Sequence, residues 1–139
     1  MFQRIMVPVD LTDKNIVALN IAAQIAAQNK ASITLLHVIE TIPDLSFEEL
    51  QEFYRNLEKK AMNKMNELAE RLLEKGLTVH QKVQYGNRAE EIVKYAAEHQ
   101  IDLIILTSHK VNLENPGRGW GTISYKVGIL SQCPVLLVK

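Results

Sequence analysis

The sequence predicts an α/β domain with a doubly wound parallel sheet. Strand-like apolar runs alternate with helical patterns along the whole chain, which is typical of repeated βαβ units. Several of these runs are continuous stretches of Val, Ile and Leu, as expected for strands that helices cover on both faces. With 139 residues, the chain has the length of one domain, and we expect residues 1–139 to fold as one.

Five strands are predicted from the apolar runs. The third alternates apolar and polar residues, which is typical of a strand at the edge of a sheet, whereas the others are mostly apolar. In chain order the predicted strands are residues 5–9, 33–38, 79–85, 101–107 and 135–138.

Four helices are predicted between these strands. The first follows Thr12 or Asp13, either of which can cap it, and its alanine-rich body covers residues 16–28. The second begins with a capping box at residues 46–49 and ends at Gly76.

The last two helices follow the third and fourth strands. Asn87 and Glu90 form a second capping box, which predicts the start of the third helix. The fourth helix is expected to begin near Thr122 and to end near Gln132. Between the fourth strand and this helix lies a glycine-bearing loop, residues 108–121, and loops of this length in compact domains are commonly functional.

Composition argues against several classes of function. The 16 basic and 16 acidic side chains cancel, so no net charge attracts the chain to nucleic acid or to an anionic membrane. No run approaches the ~20 apolar residues of a membrane span, and no signal-peptide pattern follows Met1. We therefore expect a cytoplasmic protein that has no nucleic-acid partner and no membrane partner.

Signatures of catalysis and of metal binding are missing from the sequence. It contains no Gly-x-x-x-x-Gly-Lys-[Ser/Thr] phosphate loop, no Gly-x-Gly-x-x-Gly fingerprint after the first strand and no Gly-x-Ser-x-Gly nucleophile turn. The four histidines have no metal-ligand spacing, and Cys133, the single cysteine, cannot form an internal disulfide. We predict neither a catalytic residue nor a metal site.

A ligand site is expected at the carboxyl ends of the strands, near the point where the strand order reverses. The loop of residues 108–121 and the turns after Val9 and Tyr85 meet there. The carboxylate of Asp10 can accept hydrogen bonds from an amine or a hydroxyl, and Gly86 permits a positive φ or the close approach of a ligand. Backbone N–H groups at the helix start near Thr122 suit a phosphate, although many helices begin in this way without a ligand.

Four side chains of the loop could contact the same ligand. Cationic or proton-carrying groups there could bind phosphate or remain solvated, and a tryptophan could stack on a purine or anchor the loop to the domain. These four residues are His109, Lys110, Arg118 and Trp120.

Five motifs follow one another in a characteristic order and spacing. They are Ile-Met-Val-Pro-Val-Asp at residues 5–10, Leu-Leu-His-Val at 35–38, Gly86, Asp-Leu-Ile-Ile at 102–105 and Cys-Pro-Val-Leu-Leu-Val at 133–138. With this set the whole chain resembles the universal stress protein family. The resemblance implies an open five-stranded sheet of order 3-2-1-4-5. It also implies a homodimer formed by antiparallel pairing of the last strands, here Val135, Leu136, Leu137 and Val138.

The resemblance also implies a nucleotide site after the fourth strand. Nucleotide-binding members of the family carry Gly-x2-Gly-x9-Gly-[Ser/Thr] there, and the matching positions are Ser108, Val111, Gly121 and Thr122. The final pair is kept, whereas both earlier glycines are replaced, and Val111 places a β-branched side chain where glycine lets a ligand approach. The positions that correspond to family contacts are Pro8, Val9, Asp10, Val38, Gly86, Thr107, Ser108, Val111, Gly121, Thr122, Ile123 and Ser124.

Two functions remain open at this point. In the first, a non-enzymatic dimeric stress-response protein binds ATP or AMP as a regulatory ligand, and the nucleotide orders loop 108–121 and changes the surface offered to an unknown protein partner. In the second, the same dimer binds no nucleotide and uses the loop for protein contacts. Asp10, Gly86 and the pair Gly121-Thr122 favour the first function, and Ser108 and Val111, which replace the glycines, favour the second. Weak nucleotide hydrolysis is disfavoured because no general base or metal-binding carboxylate pair is evident near the loop.

Overall fold

A computed structural model of the chain describes residues 1–42, 44–108, 114 and 123–139. Within them, five strands form one parallel sheet of order β3-β2-β1-β4-β5, which confirms the predicted fold class and strand order. The strands are β1 Arg4–Pro8, β2 Ser32–Glu40, β3 Thr78–Gly86, β4 Leu103–Thr107 and β5 Val135–Val138. The helices are α1 Asn15–Asn29, α2 Gln51–Leu73, α3 Arg88–Glu98 and α4 Ile123–Leu130.

Helices cover both faces of the sheet. On one face, α1 and α2 pack on alternate residues of β1 and β2, and this core includes Ala22, Ile33 and Met65. On the other face, α3 and α4 pack on the intervening residues, and this core includes Ile92 and Ile104. Because successive residues of a strand point to opposite faces, each central strand contributes to both cores.

The polar third strand lies at one edge of the sheet, as its alternating pattern predicts. β3 pairs in parallel with β2 from Ser32 opposite Thr78 to Glu40 opposite Gly86. The strand β5 lies at the other edge and pairs only with β4 among the described residues.

The start of α1 differs from the prediction that Thr12 or Asp13 caps it. The position before the helix is Lys14, and no side chain makes a capping hydrogen bond there. The carbonyl groups of Thr12 and Asp13 accept the N–H groups of Asn15 and Ile16, both at 3.2 Å. The prediction was wrong because the Thr12 hydroxyl donates to a carboxylate of the preceding turn instead.

Of the two predicted capping boxes, the one at Asn87 marks the start of its helix, and the one at residues 46–49 does not. The Asn87 side chain accepts the N–H of Glu90 at 3.1 Å, and α3 begins directly after Asn87. The Ser46 hydroxyl accepts the N–H of Glu49 at 3.1 Å, but residues 47–50 form turns and α2 begins at Gln51. No helix in the described part of the chain is long and apolar enough to cross a membrane.

Candidate functional site

A cavity of about 340 Å³ opens at the carboxyl edge of the sheet, where β1 and β4 lie side by side. This is the point at which the strand order reverses, the usual place for ligands in doubly wound sheets. Apolar side chains from β2, β4 and α3 form its floor, and these are Leu36, Val38, Leu106 and Ile92. Its polar lining residues are Asp10, Asn15, Thr107, Arg88 and Ser124. We call this space the β1–β4 cavity.

The turn after β1 is held by the side chain of Asn15, which is 1% exposed. Its Oδ1 accepts the backbone N–H groups of Asp10 and Leu11, each at 3.0 Å. Leu11 has a φ of 70°, a left-handed conformation that is uncommon for a residue with a side chain. These hydrogen bonds therefore stabilise an unfavourable turn and place Asp10 at the entrance of the cavity.

Asp10 is an ionised acceptor at this entrance. Its Oδ1 accepts hydrogen bonds from the Thr12 hydroxyl at 2.7 Å and from the Thr12 N–H at 2.9 Å. Partial burial opposes the charge, but these hydrogen bonds and the nearby Arg88 guanidinium outweigh it, and the pKa of Asp10 is lowered. The carboxylate can accept hydrogen bonds from a hydroxyl or an amine of a ligand.

Among the described residues, the positive charge of the cavity comes from Arg88, the first residue of α3. Its Nε lies 3.6 Å from Oε1 of Glu40, and both side chains remain partly exposed to solvent. A guanidinium in this position can bind a phosphate or a carboxylate with two parallel hydrogen bonds. Arg88 therefore supplies a place for an anionic group beside the apolar floor.

His37, a residue of β2, contacts the turn after β1. Its Nδ1 lies 2.8 Å from the carbonyl oxygen of Val9, and since a carbonyl only accepts, Nδ1 carries the proton. Burial lowers the pKa of His37, and the positive charge of Arg88 lowers it further against the opposing effects of Val9 and Asp10. The histidine is neutral at pH 7 and supports the turn.

Seven of the residues predicted for the site line the β1–β4 cavity. They are Pro8, Val9, Asp10, Val38, Thr107, Ile123 and Ser124. Val111, Gly121 and Thr122 lie outside the described residues, and so do His109, Lys110, Arg118 and Trp120.

Two predicted site residues do not line the cavity. Gly86 has a φ of 142°, and a Cβ built on it would lie 3.0 Å from Oε1 of Glu91, so the local backbone accounts for this glycine. Ser108 is buried, and its hydroxyl accepts a hydrogen bond from Nζ of Lys139 at 3.1 Å.

Sequence reasoning missed five residues of the cavity: Asn15, Leu36, Arg88, Ile92 and Leu106. One signal was present for Leu36, because residues two apart on a strand share a face and Val38 was already assigned. Arg88 follows the predicted cap Asn87, at the helix end that faces the site. Asn15 directly precedes the predicted alanine-rich helix, and no motif around it indicates that it lines a ligand site.

No group of three or more His, Cys, Asp or Glu side chains in the described part of the chain is arranged to hold a metal ion. The described residues that line the cavity instead offer hydroxyls, an amide, one carboxylate and one guanidinium. This set suits an organic ligand with hydroxyl and anionic groups.

The model of the universal stress protein family matches residues 1–139, the whole chain. The chain belongs to the universal stress protein family. The universal stress protein YxiE of Bacillus subtilis is 27% identical over 152 residues, with all of both chains covered. The universal stress protein MJ0531 of Methanocaldococcus jannaschii is 29% identical over 146 residues, which cover 100% of this chain and 83% of the relative.

Solved structures of the family have the same fold. The universal stress protein UspA from Lactobacillus plantarum superposes with a TM-score of 0.83 at 25% identity, over 99% of this chain and 98% of the other. A universal stress protein in complex with cAMP gives a TM-score of 0.76 at 22% identity, over 99% and 97% of the two chains. A family protein from Arabidopsis thaliana with AMP bound gives 0.72 at 20% identity, over 99% and 91%.

Proposed function

We propose that this universal stress protein binds an adenine nucleotide in the β1–β4 cavity and acts as a regulatory, non-enzymatic protein of the stress response. The observation that carries the proposal is the cavity itself, with an apolar floor and a polar entrance at the reversal of strand order. Its volume of about 340 Å³ is within the range of about 300–1,000 Å³ that is usual for small-molecule sites.

The lining fits the parts of an adenine nucleotide. Leu36, Ile92 and Leu106 offer an apolar surface for the base, and Asp10 can accept a hydrogen bond from a ribose hydroxyl or an exocyclic amine. Arg88 can bind a phosphate. Family members of the same fold that carry cAMP and AMP further support a mononucleotide of this class.

A binding role suits Asp10 better than a catalytic one. Effective general bases have pKa values near the working pH, whereas the pKa of Asp10 is lowered by its hydrogen bonds to Thr12 and by Arg88, against the effect of burial. A carboxylate of this kind holds a ligand and takes up protons poorly at neutral pH. The proposal therefore assigns no hydrolytic step to the cavity.

We further propose that the protein forms a homodimer through the free edge of β5. The edge exposes apolar side chains, since Leu136 is 39% and Leu137 is 38% exposed. On the neighbouring α4, Ile129 and Leu130 are 68% and 57% exposed. Antiparallel pairing of two β5 strands would form hydrogen bonds to the backbone N–H and C=O groups of this edge and remove these side chains from water.

A nucleotide-independent interaction protein is the second candidate, and Ser108 favours it. This residue replaces the first glycine of the family's nucleotide motif, its side chain is buried, and it binds Lys139. In that case the segment 108–121 serves protein contacts and the cavity remains without a nucleotide.

Calorimetric titration of AMP and of ATP into nucleotide-free protein tests the proposal. We expect saturable binding at micromolar concentrations, weakened about tenfold or more in Asp10→Ala, because a hydrogen bond to a charged group is worth about 1.5–3 kcal/mol. Asp13→Ala is the matched control, since Asp13 is an exposed carboxylate of the same turn that does not line the cavity. The absence of both heat and thermal stabilisation at millimolar nucleotide would favour the second candidate.

A further inference from the structure

A second cavity, of about 410 Å³, lies on the other face of the sheet. It opens between the carboxyl end of β2 and helix α2, where His37 and Ile39 point away from the β1–β4 cavity. Leu57, Ala61 and two lysines of α2 form its outer wall. We call this space the β2–α2 cavity.

Three cations line the β2–α2 cavity. Lys60 and Lys64 are one helical turn apart on the same face of α2, and Arg88 reaches the cavity from the start of α3. Lys60 makes no ion pair within the described part of the chain, and Lys64 pairs with Glu67 at 3.5 Å on the helix surface. Because exposed ion pairs are weak and exchange readily with solvent, both lysines can turn to an anion in the cavity.

Two carboxylates also line this space, and each already has a partner. Asp10 accepts the hydrogen bonds of Thr12, and Glu40 lies 3.6 Å from the Arg88 guanidinium. Because the pair with Glu40 engages the Arg88 guanidinium as well, the cations that remain available for a ligand are mainly Lys60 and Lys64.

The β2–α2 cavity also has an apolar wall. Ile39 and Ala61 are buried there, and Leu57 is 36% exposed, which is high for a leucine in the middle of a helix. A flat apolar group packed on this wall would remove Leu57 from water. An apolar wall beside two lysines is complementary to a nucleoside that carries phosphate.

The two cavities meet at the end of β2. Asp10, Val38 and Arg88 line both of them, so a ligand in one cavity lies beside the entrance of the other. A chain of phosphates that passes over the end of β2 would remain within reach of Arg88 and then of the lysines.

We propose that the β2–α2 cavity is a subsite for a second phosphorylated nucleoside, so that the preferred ligand class is a dinucleotide joined through phosphates. The inference rests on the proposed nucleotide site and adds a second half to it. Once the first nucleoside is bound in the β1–β4 cavity, the second binds intramolecularly at a high effective concentration. Lys60 and Lys64 bind the phosphates of the second half, and Leu57 packs on its base.

Binding of AMP, ATP and diadenosine tetraphosphate to the full chain tests this inference. We expect diadenosine tetraphosphate to bind at least tenfold more tightly than ATP. In Lys60→Gln/Lys64→Gln this advantage falls to less than about threefold, while the affinity for AMP stays within twofold of the wild type. Lys59→Gln/Lys75→Gln is the control, because it removes the same charge from positions that line neither cavity.

The outcomes separate the two proposals. If AMP and ATP bind but diadenosine tetraphosphate binds no more tightly than ATP, the second subsite is excluded and the nucleotide site stands. If both double variants lost the same affinity for diadenosine tetraphosphate, Lys60 and Lys64 would act only through their general positive charge. That result would also overturn the inference. If none of the three compounds binds, the nucleotide site fails and the second subsite fails with it. Thermal melting of the variants checks the fold, which substitutions of exposed side chains are expected to preserve.

Discussion

The side-chain amide of Asn15 donates a hydrogen bond to the hydroxyl of Thr107 at 3.3 Å. This contact joins the first turn of α1 to the carboxyl end of β4, across 92 positions of the chain. The same side chain accepts two N–H groups of the turn after β1. One buried amide thus fixes the two sides of the β1–β4 cavity relative to each other.

Asn15→Ala is expected to lower the free energy of unfolding by about 2 kcal/mol. It leaves the N–H groups of Asp10 and Leu11 without an acceptor, and an unsatisfied buried donor costs about 1–3 kcal/mol. Urea denaturation measures the change. Asn20→Ala, at an exposed position of the same helix, is the control and should be neutral or slightly stabilising. Equal stability of Asn15→Ala and the wild type would show that the turn does not depend on this side chain.

Gly86→Ala is expected to destabilise the protein by about 1–3 kcal/mol. The φ of 142° is strained for any residue with a Cβ, and the new methyl group would lie 3.0 Å from Oε1 of Glu91. Gly128→Ala is the matched control in α4, where nothing lies within 4 Å of the built Cβ.

The control should gain up to about 1 kcal/mol, because alanine is a better helix former than glycine. Thermal unfolding of both variants gives the comparison. If Gly86→Ala were as stable as the wild type, the backbone at this position would have to relax without cost.

His37 should make the protein less stable as the pH falls below 7. Burial and the positive charge of Arg88 lower its pKa in the folded state, so the unfolded chain takes up a proton first, near pH 6.5. The free energy of unfolding therefore falls as the pH drops from the unfolded pKa to the folded one, by no more than about 1.4 kcal/mol per pH unit. At still lower pH this contribution is constant.

Urea denaturation between pH 5 and pH 7.5 measures this dependence. His37→Gln should remove part of the slope, and His80→Gln, at an exposed position of β3, is the control. An imidazole of His37 that titrates above pH 6.5 in an NMR experiment would contradict the sign of the effect.

Leu136→Lys is expected to convert the proposed dimer into a monomer. The substitution places a charge on the open edge of β5, which disfavours pairing with a second copy. Light scattering coupled to size exclusion gives the mass of each form, and Thr78→Lys at the opposite sheet edge is the control. A wild-type protein that is monomeric at high micromolar concentration would exclude the β5 interface.

Much of the fold followed from local patterns. The continuous apolar runs predicted β1, β2 and β4, which are buried on both faces. The run at residues 135–138 predicted β5, although Leu136 and Leu137 of this edge strand are exposed. Asn87 predicted the start of α3, since a cap acts within one turn of its own position. The strand order 3-2-1-4-5 came from the resemblance to a family, and the structure confirms it.

The site was predicted in two ways. Asp10 was found because the carboxyl ends of parallel strands meet at one edge. Val9, Thr107, Ile123 and Ser124 came from the resemblance to the family. For Gly86 the sequence left a positive φ and the close approach of a ligand open, and the structure shows the positive φ.

What only the tertiary structure decided is the meeting of side chains from distant positions. Asn15 accepts two N–H groups of the turn just before it in the chain, and it donates to Thr107 only because α1 packs beside β4. Arg88 becomes a shared wall of two cavities because α3 starts at the same edge where β2 ends. The local sequence pattern predicts the burial and the conformation of a residue. The side chains that it contacts depend on how the helices pack on the sheet.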